Sequence, residues 1–235
     1  AYSLAIPTRK GVILMSRFTT QLAAGLLLAP ALLAASVAQA YEAGDVIVRV
    51  GAAVVDPQES SGNVFVGGAN TGLEVGVDSN TQVGITGTFM LTDHIGLGVL
   101  GATPFSHDIE LKGVTRFASI KHLPPTVTLQ YFPMAKNSAL QPYVGAGLNY
   151  TMFFSEDLSS TAEGAGFSDL ELDDSFGYAL EAGLDYKLTE QVYLNAAVWY
   201  VDIETTAEFR TAGTPSKVDV DIDPMVYMAS IGYKF

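Results

Sequence analysis

The side chains of this chain best suited to proton transfer or metal binding are His94, His107 and His122. None stands in a nucleophile motif, and no pair has the H-E-x-x-H spacing that puts two imidazoles on one helix face. His94 falls in a turn, His107 near a long connection, and His122 beside Leu123-Pro124. The sequence has no cysteine, which removes thiolate ligands and disulfides. No catalytic residue, metal site or cofactor is therefore expected. The acids between Glu156 and Asp174 read as a solvated loop, with cation bridging to lipopolysaccharide phosphates as the alternative use. The remaining chemistry is that of a lining. Leu100 and Trp199 are large apolar residues on faces otherwise made of Gly, Ala and Asn, and Phe153 and Met228 are further large apolar residues of matching parity on their own segments. Of the charges, Asp185 and Lys187 lie just before a tight turn, Lys234 next to the C-terminus, and Arg49 near the start of the first segment. What either group can do depends on the elements that carry it.

Charge and export narrow those elements. The chain carries 12 basic and 25 acidic residues, a net charge of −13. Its first 40 residues read as an upstream stretch plus a secretory signal. Met15 is the expected start, followed by Arg17, an apolar run from Leu22 to Val37, and Ala38-Gln39-Ala40 as the cleavage site. Removing Arg9, Lys10 and Arg17 leaves 9 basic residues against 25 acidic ones, or −16, which excludes a phosphate-binding surface and hence nucleic acid. Beyond the signal no apolar stretch is long enough for a spanning helix. An exported β-protein follows, either a soluble one or a barrel in the outer membrane.

The residues 41–235 resolve into eight alternating segments, beginning near Val46, Gly76, Ile95, Ile120, Leu140, Phe176, Gln191 and Met225. The last one, M-V-Y-M-A-S-I-G-Y-K-F, has two unlike faces and about the length a tilted strand needs to cross a bilayer. Tight turns at Thr92–His94, Met134–Ser138 and Thr189–Glu190 alternate strictly with long polar connections. That pattern predicts an all-β fold: an eight-stranded antiparallel transmembrane β-barrel with short periplasmic turns and long extracellular loops. Tyr131, Phe132, Tyr143, Tyr186, Tyr193, Tyr233 and Phe235 lie near the turn ends, where an interfacial girdle is expected. A soluble carrier such as a lipocalin would reverse the faces, with the apolar one inside.

Five stretches carry a resemblance: Y-E-A-G-D-V-I-V-R-V-G-A-A-V-V-D-P (Tyr41 to Pro57), T-D-H-I-G-L-G-V-L-G-A-T-P-F (Thr92 to Phe105), K-H-L-P-P-T-V-T-L-Q-Y-F (Lys121 to Phe132), Q-P-Y-V-G-A-G-L-N-Y-T-M-F-F (Gln141 to Phe154) and V-W-Y-V-D-I-E-T-T-A (Val198 to Ala207). The chain resembles the OmpW family of outer-membrane proteins over the whole of 41–235. That resemblance implies an eight-stranded barrel with an unusually apolar lumen and a role in passage of small hydrophobic molecules, AlkL of alkane uptake being a relative. The cargo does not transfer with the fold.

With the apolar face outward, parity assigns the interior. Gly96, Gly98, Leu100 and Ala102 face in, as do Tyr193, Asn195, Ala197 and Trp199, and Tyr143, Gly145, Gly147, Asn149 and Phe153. The inward glycines leave room, and Leu100, Trp199, Phe153 and Met228 form an apolar constriction and ligand-binding lining. Arg49, Asp185, Lys187 and Lys234 form a paired polar floor in the periplasmic third, with Glu181 standing higher. A solute stopped by that floor must leave sideways. Proline cannot donate to the ladder, so Pro104, Pro124 and Pro125, on adjacent segments, mark a candidate lateral exit into the outer leaflet; the bland alternative is that they end the sheet where the strands leave the membrane. The expected partners are outer-membrane lipid and lipopolysaccharide, the barrel-assembly machinery reading the C-terminal strand, and small hydrophobic solutes. The expected function is an outer-membrane channel for such solutes. The alternatives are a structural, adhesive or stress-related barrel without transport and, further off, a lipid-modifying enzyme.

Overall fold

The computed structural model describes residues 41–235 apart from 59, 62, 73–74, 112–115 and 136–137. The export signal and its cleavage after Ala40 lie outside the described residues. The first stave is β1 (Val46–Asp56), followed in its long connection by β2 (Ser60–Ser61), β3 (Phe65–Val66) and β4 (Ala69–Asn70). The second stave is β5 (Val75–Val77) and β6 (Asn80–Met90), the third β7 (Ile95–Ala102) and β8 (Phe105–Leu111), the fourth β9 (Arg116–Leu123) and β10 (Thr126–Tyr131). The fifth is β11 (Leu140–Leu158), followed by α1 (Ser160–Gly164) and β12 (Phe167–Leu172). The sixth is β13 (Ser175–Lys187) and the seventh β14 (Val192–Val201). β15 (Glu204–Thr211) and β16 (Thr214–Asp221) precede the last stave, β17 (Met225–Lys234).

The barrel closes in the order β1-β6-β7-β10-β11-β13-β14-β17, with β17 back on β1 from Ile47↔Lys234 to Asp56↔Met225, every pairing antiparallel. Closure gives each of the eight staves a hydrogen-bonded neighbour on both sides, so the barrel sheet has no edge strand, as hydrocarbon demands. The exposed face is apolar all round: Val83, Leu97, Leu129, Val144, Leu180, Leu194 and Ile231 all point away from the interior. On β11 the apolar belt runs from Leu140 to Met152. Twelve steps of about 3.3 Å, tilted by about 40°, cover roughly 30 Å, the thickness of a bilayer core.

Two of the tight turns use one device. Thr92 Oγ1 accepts from His94 N and Ile95 N at 3.2 and 3.0 Å, and Thr189 Oγ1 accepts from Gln191 N and Val192 N at 3.3 and 3.0 Å. The hydroxyl takes the place of a backbone acceptor and closes the turn.

Three expectations need correction. The aromatics near the turns are not all a girdle: Phe132, Tyr143 and Tyr193 are buried inside, while Tyr131, Tyr233 and Phe235 face out. The third and fourth segments are not continuous strands, because each is interrupted at its prolines. The long connections are not simply polar loops either. β12, β15, β16, β3 and β4 form a second sheet above the membrane belt, and β5, β8, β9 and the outer end of β11 extend the barrel wall on the other side. Between them the apolar core continues outward through Val64, Phe117, Ile120, Leu170, Phe209 and Val218. In these strands charged residues alternate outward with apolar ones inward, so high polarity masked the pleat.

Candidate functional site

The lumen begins, from the periplasmic side, with a polar layer. Arg49 Nε donates to Asp185 Oδ1 at 2.9 Å and Arg49 Nη2 forms an ion pair with Asp185 Oδ2, a bidentate fork with both side chains almost wholly buried. Tyr41 Oη donates to Asp185 Oδ2 at 2.7 Å and Asn195 Nδ2 to Asp185 Oδ1 at 2.9 Å. Arg49 Nη1 donates to Thr88 Oγ1 at 2.8 Å, Thr88 Oγ1 to Gln130 Oε1 at 3.0 Å, and Gln130 Nε2 to Glu181 Oε1 at 2.9 Å. Thr128 Oγ1 adds a 2.7 Å bond to Glu181 Oε2. Beneath, Tyr41 packs on Phe132 and Tyr193, with centroids 5.2 and 5.4 Å away. Buried charges in so apolar a setting need this saturation of partners.

This layer differs from the expected floor. Arg49 and Asp185 are its centre, but Lys234 pairs with Asp45 at 3.3 Å, nearer the chain end, and Lys187 is buried two positions along β13 from Asp185. Glu181 is part of the layer, not a charge standing apart, because Gln130 reaches it across the barrel. The inward glycines do not leave free space. A Cβ on Gly98 would lie 2.5 Å from Gln130 Nε2, one on Gly145 2.9 Å from Glu181 Oε2, and one on Gly183 2.3 Å from the Tyr143 ring. They are the sockets into which the polar side chains fold.

Above the layer the lining turns apolar. Leu100, Ala53, Val55, Val201, Val226 and Phe105 surround a cavity of about 10 Å³. One inward position further out, Ile120, Ile222, Phe117, Phe209, Val64 and Ile109 surround a second of about 30 Å³. These volumes have room for about one and about two water molecules. Leu100 lines the lower cavity. Trp199 is buried opposite Glu181 in the β13–β14 register and opposite Val226 in the β14–β17 register, so it sits at the boundary between polar layer and cavity. Met228 is buried between Ala53 and Ala197. Phe153 lies higher, 5.9 Å from the His122 ring, and belongs to an aromatic group with Phe105 and His107.

The wall beside the lower cavity is interrupted. The β7–β10 ladder ends at Leu100↔Thr126, and the β8–β9 ladder resumes at Phe105↔His122. Between them Gly101 to Pro104 face Leu123 to Pro125 without a ladder pair. Pro104 is exposed, Pro124 is buried against the cavity, and Pro125 turns its carbonyl to Tyr150 N and Asn149 Nδ2, at 3.1 and 3.2 Å.

The OmpW family pattern matches residues 42–235. Outer membrane protein W of Vibrio cholerae serotype O1 is 49% identical over 201 residues, which cover 83% of this chain and 91% of that protein. The chain belongs to the OmpW family. Among solved structures, the crystal structure of the outer membrane protein OprG from Pseudomonas aeruginosa superposes with a TM-score of 0.82 at 48% identity, covering 84% of this chain and 99% of that one. AlkL, solved by solid-state NMR in DMPC bilayers, has a TM-score of 0.64 at 22% identity over 83% of this chain and 92% of its own, a likeness of fold. This OmpW-family barrel is thus an outer-membrane protein, with its tight turns at the periplasmic end.

Sequence reasoning missed several residues that build the site of this OmpW-family chain. Tyr41, Thr88, Gln130 and Asn195 complete the polar layer, and only the inward parity of the last three was readable. His107 and His122 are in contact, Nε2 to Nε2, at 2.9 Å. They stand above the membrane belt, where the outward neighbours are Ser106, Asp108, Lys121 and the Arg116–Asp108 ion pair. Burial pushes both imidazoles down from their usual range, His122 to about 3 with His107 adding to the effect, while the Asp78 carbonyl, Asp78 and Asp108 partly restore His107. His94, in its turn, has Nδ1 on the Phe132 carbonyl at 2.7 Å, tying two tight turns together.

Proposed function

We propose that this barrel admits small apolar molecules from the outer surface through the two stacked apolar cavities and releases them sideways into the outer leaflet between β7–β8 and β9–β10. The observation that carries the reading is the coincidence of three features at one height. The lower apolar cavity, the upper boundary of a hydrogen-bonded polar layer, and the interruption of the ladder at Pro104, Pro124 and Pro125 all meet there. The Arg49–Asp185–Glu181 layer opposes an apolar solute descending further, since the solute would have to break buried charge-assisted bonds without replacing them. Leu100 and Trp199 form the constriction at that boundary, with Met228 below and Phe153 above as further lining. Lipid and lipopolysaccharide surround the seam and receive the solute.

The chain has no cysteine, so a single one can be labelled specifically. Pro104→Cys carrying a bulky methanethiosulfonate adduct should cut uptake of a labelled apolar compound by cells several-fold, with recovery on reduction, while the same adduct on Arg210→Cys leaves uptake unchanged. Leu100→Asp should suppress uptake and raise ion conductance, because a charge wets an apolar neck. Unchanged uptake in the labelled Pro104→Cys protein would rule out the seam as exit. Unchanged uptake in Leu100→Asp would rule out the lumen as the path.

A further inference from the structure

The histidine pair bears on which molecules the lower cavity accepts. His107 Nδ1 contacts the Asp78 carbonyl oxygen, which can only accept a hydrogen bond. In the neutral imidazole the proton is therefore on Nδ1, and His107 Nε2 is an acceptor. The 2.9 Å contact between the two Nε2 atoms then requires the proton on His122 Nε2. That leaves His122 Nδ1 as a bare acceptor. It is fully buried and has no hydrogen-bond partner among the described residues. His122 is also a wall of the lower cavity, beside Phe105, Pro124 and Thr126. Leaving a buried acceptor unsatisfied is costly, and a ligand that supplies one donor removes the cost. The surroundings say what else the ligand must be. Phe105 stacks on His122 with centroids 5.5 Å apart and Phe153 lies 5.9 Å away, so flat rings already pack here. The cavity lining is otherwise aliphatic, with no charged side chain to balance an ion.

We infer that the cavity at the seam selects compact, neutral, mostly apolar molecules bearing a single N–H or O–H donor, of the indole or phenol class, and that His122 Nδ1 is the acceptor that recognises them. This rests on the proposed passage of apolar molecules through the same cavity and adds the polar contact that discriminates among them. The cavity of about 10 Å³ takes such a molecule only as its lining side chains part, and a pure hydrocarbon of the same shape then leaves Nδ1 unpaired. A molecule with two or more polar groups has only one of them satisfied, and the others are stranded among Val55, Val201 and Val226.

Indole and indene test this directly, being alike in shape and different in the N–H. Dissociation constants would be measured for both on the full barrel in lipid nanodiscs, with ¹⁵N-labelled histidine observed by NMR. Indole should bind about tenfold more tightly than indene and should shift the unprotonated His122 nitrogen upfield, which indene does not do. His122→Phe keeps a flat ring and removes the acceptor, so the two affinities should become equal. If that variant does not assemble, the nitrogen shift of the unaltered barrel decides alone. Equal affinities in the unaltered barrel with no nitrogen shift would overturn donor recognition and leave apolar passage standing. Binding of neither compound would overturn both.

Discussion

At the residue scale, the side chains that matter most here are buried polar ones. Asp185 takes three hydrogen-bond partners and Arg49 two, so neither carries an uncompensated charge. Removing one member leaves the other buried alone, a loss of about 3–5 kcal/mol. Arg49→Met should lower the urea midpoint of the barrel in detergent by a corresponding amount and raise its ion conductance, since the same fork closes the lower lumen. Arg49→Met with Asp185→Leu should recover most of the stability but not the seal. An Arg49→Met barrel with unaltered midpoint and conductance would show that the layer neither stabilises nor seals. Gly98 and Gly183 serve the same layer, because only a missing Cβ lets Gln130 and Tyr143 fold across the interior.

At the element scale, the outer extension β8–β9 behaves differently from the staves in lipid. It is joined to β7 and β10 through proline-bounded gaps, and the buried neutral His107–His122 pair sits at its base. Both imidazoles are harder to protonate folded than unfolded, where their ordinary value is about 6.5. The unfolded segment thus binds more protons below pH 6.5, so stability is fully present above that pH and falls as pH drops towards about 3. Each imidazole contributes at most about 1.4 kcal/mol per pH unit in that window. Amide exchange in Phe105–Leu111 and Arg116–Leu123, corrected for intrinsic rates, should therefore accelerate by up to about tenfold per unit for each imidazole between pH 6.5 and 5, with β1 and β17 unaffected. Uniform protection across both groups would mean the pair does not hold the extension. The β15–β16 hairpin was illegible for a different reason. Its turn is Ala212-Gly213, both at positive φ (49° and 79°), and alanine in the first position hides the usual Asn-Gly or Asp-Gly signal.

At the scale of the whole molecule, closure of β17 on β1 turns eight staves into a barrel. The seal ends at Phe235, whose N–H donates to the Val46 carbonyl at 2.9 Å and whose ring packs edge-on against Tyr233 with centroids 4.7 Å apart. The Phe235 side chain is 73% exposed and adds little to the fold itself. We propose that the assembly machinery reads this apolar, aromatic strand; Phe235→Ser should then lower the outer-membrane level of heat-modifiable barrel several-fold in cells. The same variant refolded in detergent should reach the stability of the unaltered chain. Normal abundance in cells would count against a role for this residue in assembly, and poor refolding in detergent would assign it to the fold.

The sequence by itself determined which residues face in and which face lipid. Alternation along a strand is a local property, so parity holds for Leu100, Asn195, Trp199 and Met228 whatever the neighbours are. The strict exchange of short and long connections likewise determined the number of staves and their direction. The tertiary structure decided who meets whom. Arg49 and Asp185 are 136 residues apart, and their contact depends on the tilt and register of closed staves, which set residue heights around the barrel and which no local pattern encodes. Register also brings Gln130 to Glu181, fills the space beside the glycines, and places His122 against His107. It makes the prolines of two staves fall at one level, where the ladder between them is interrupted beside an apolar cavity.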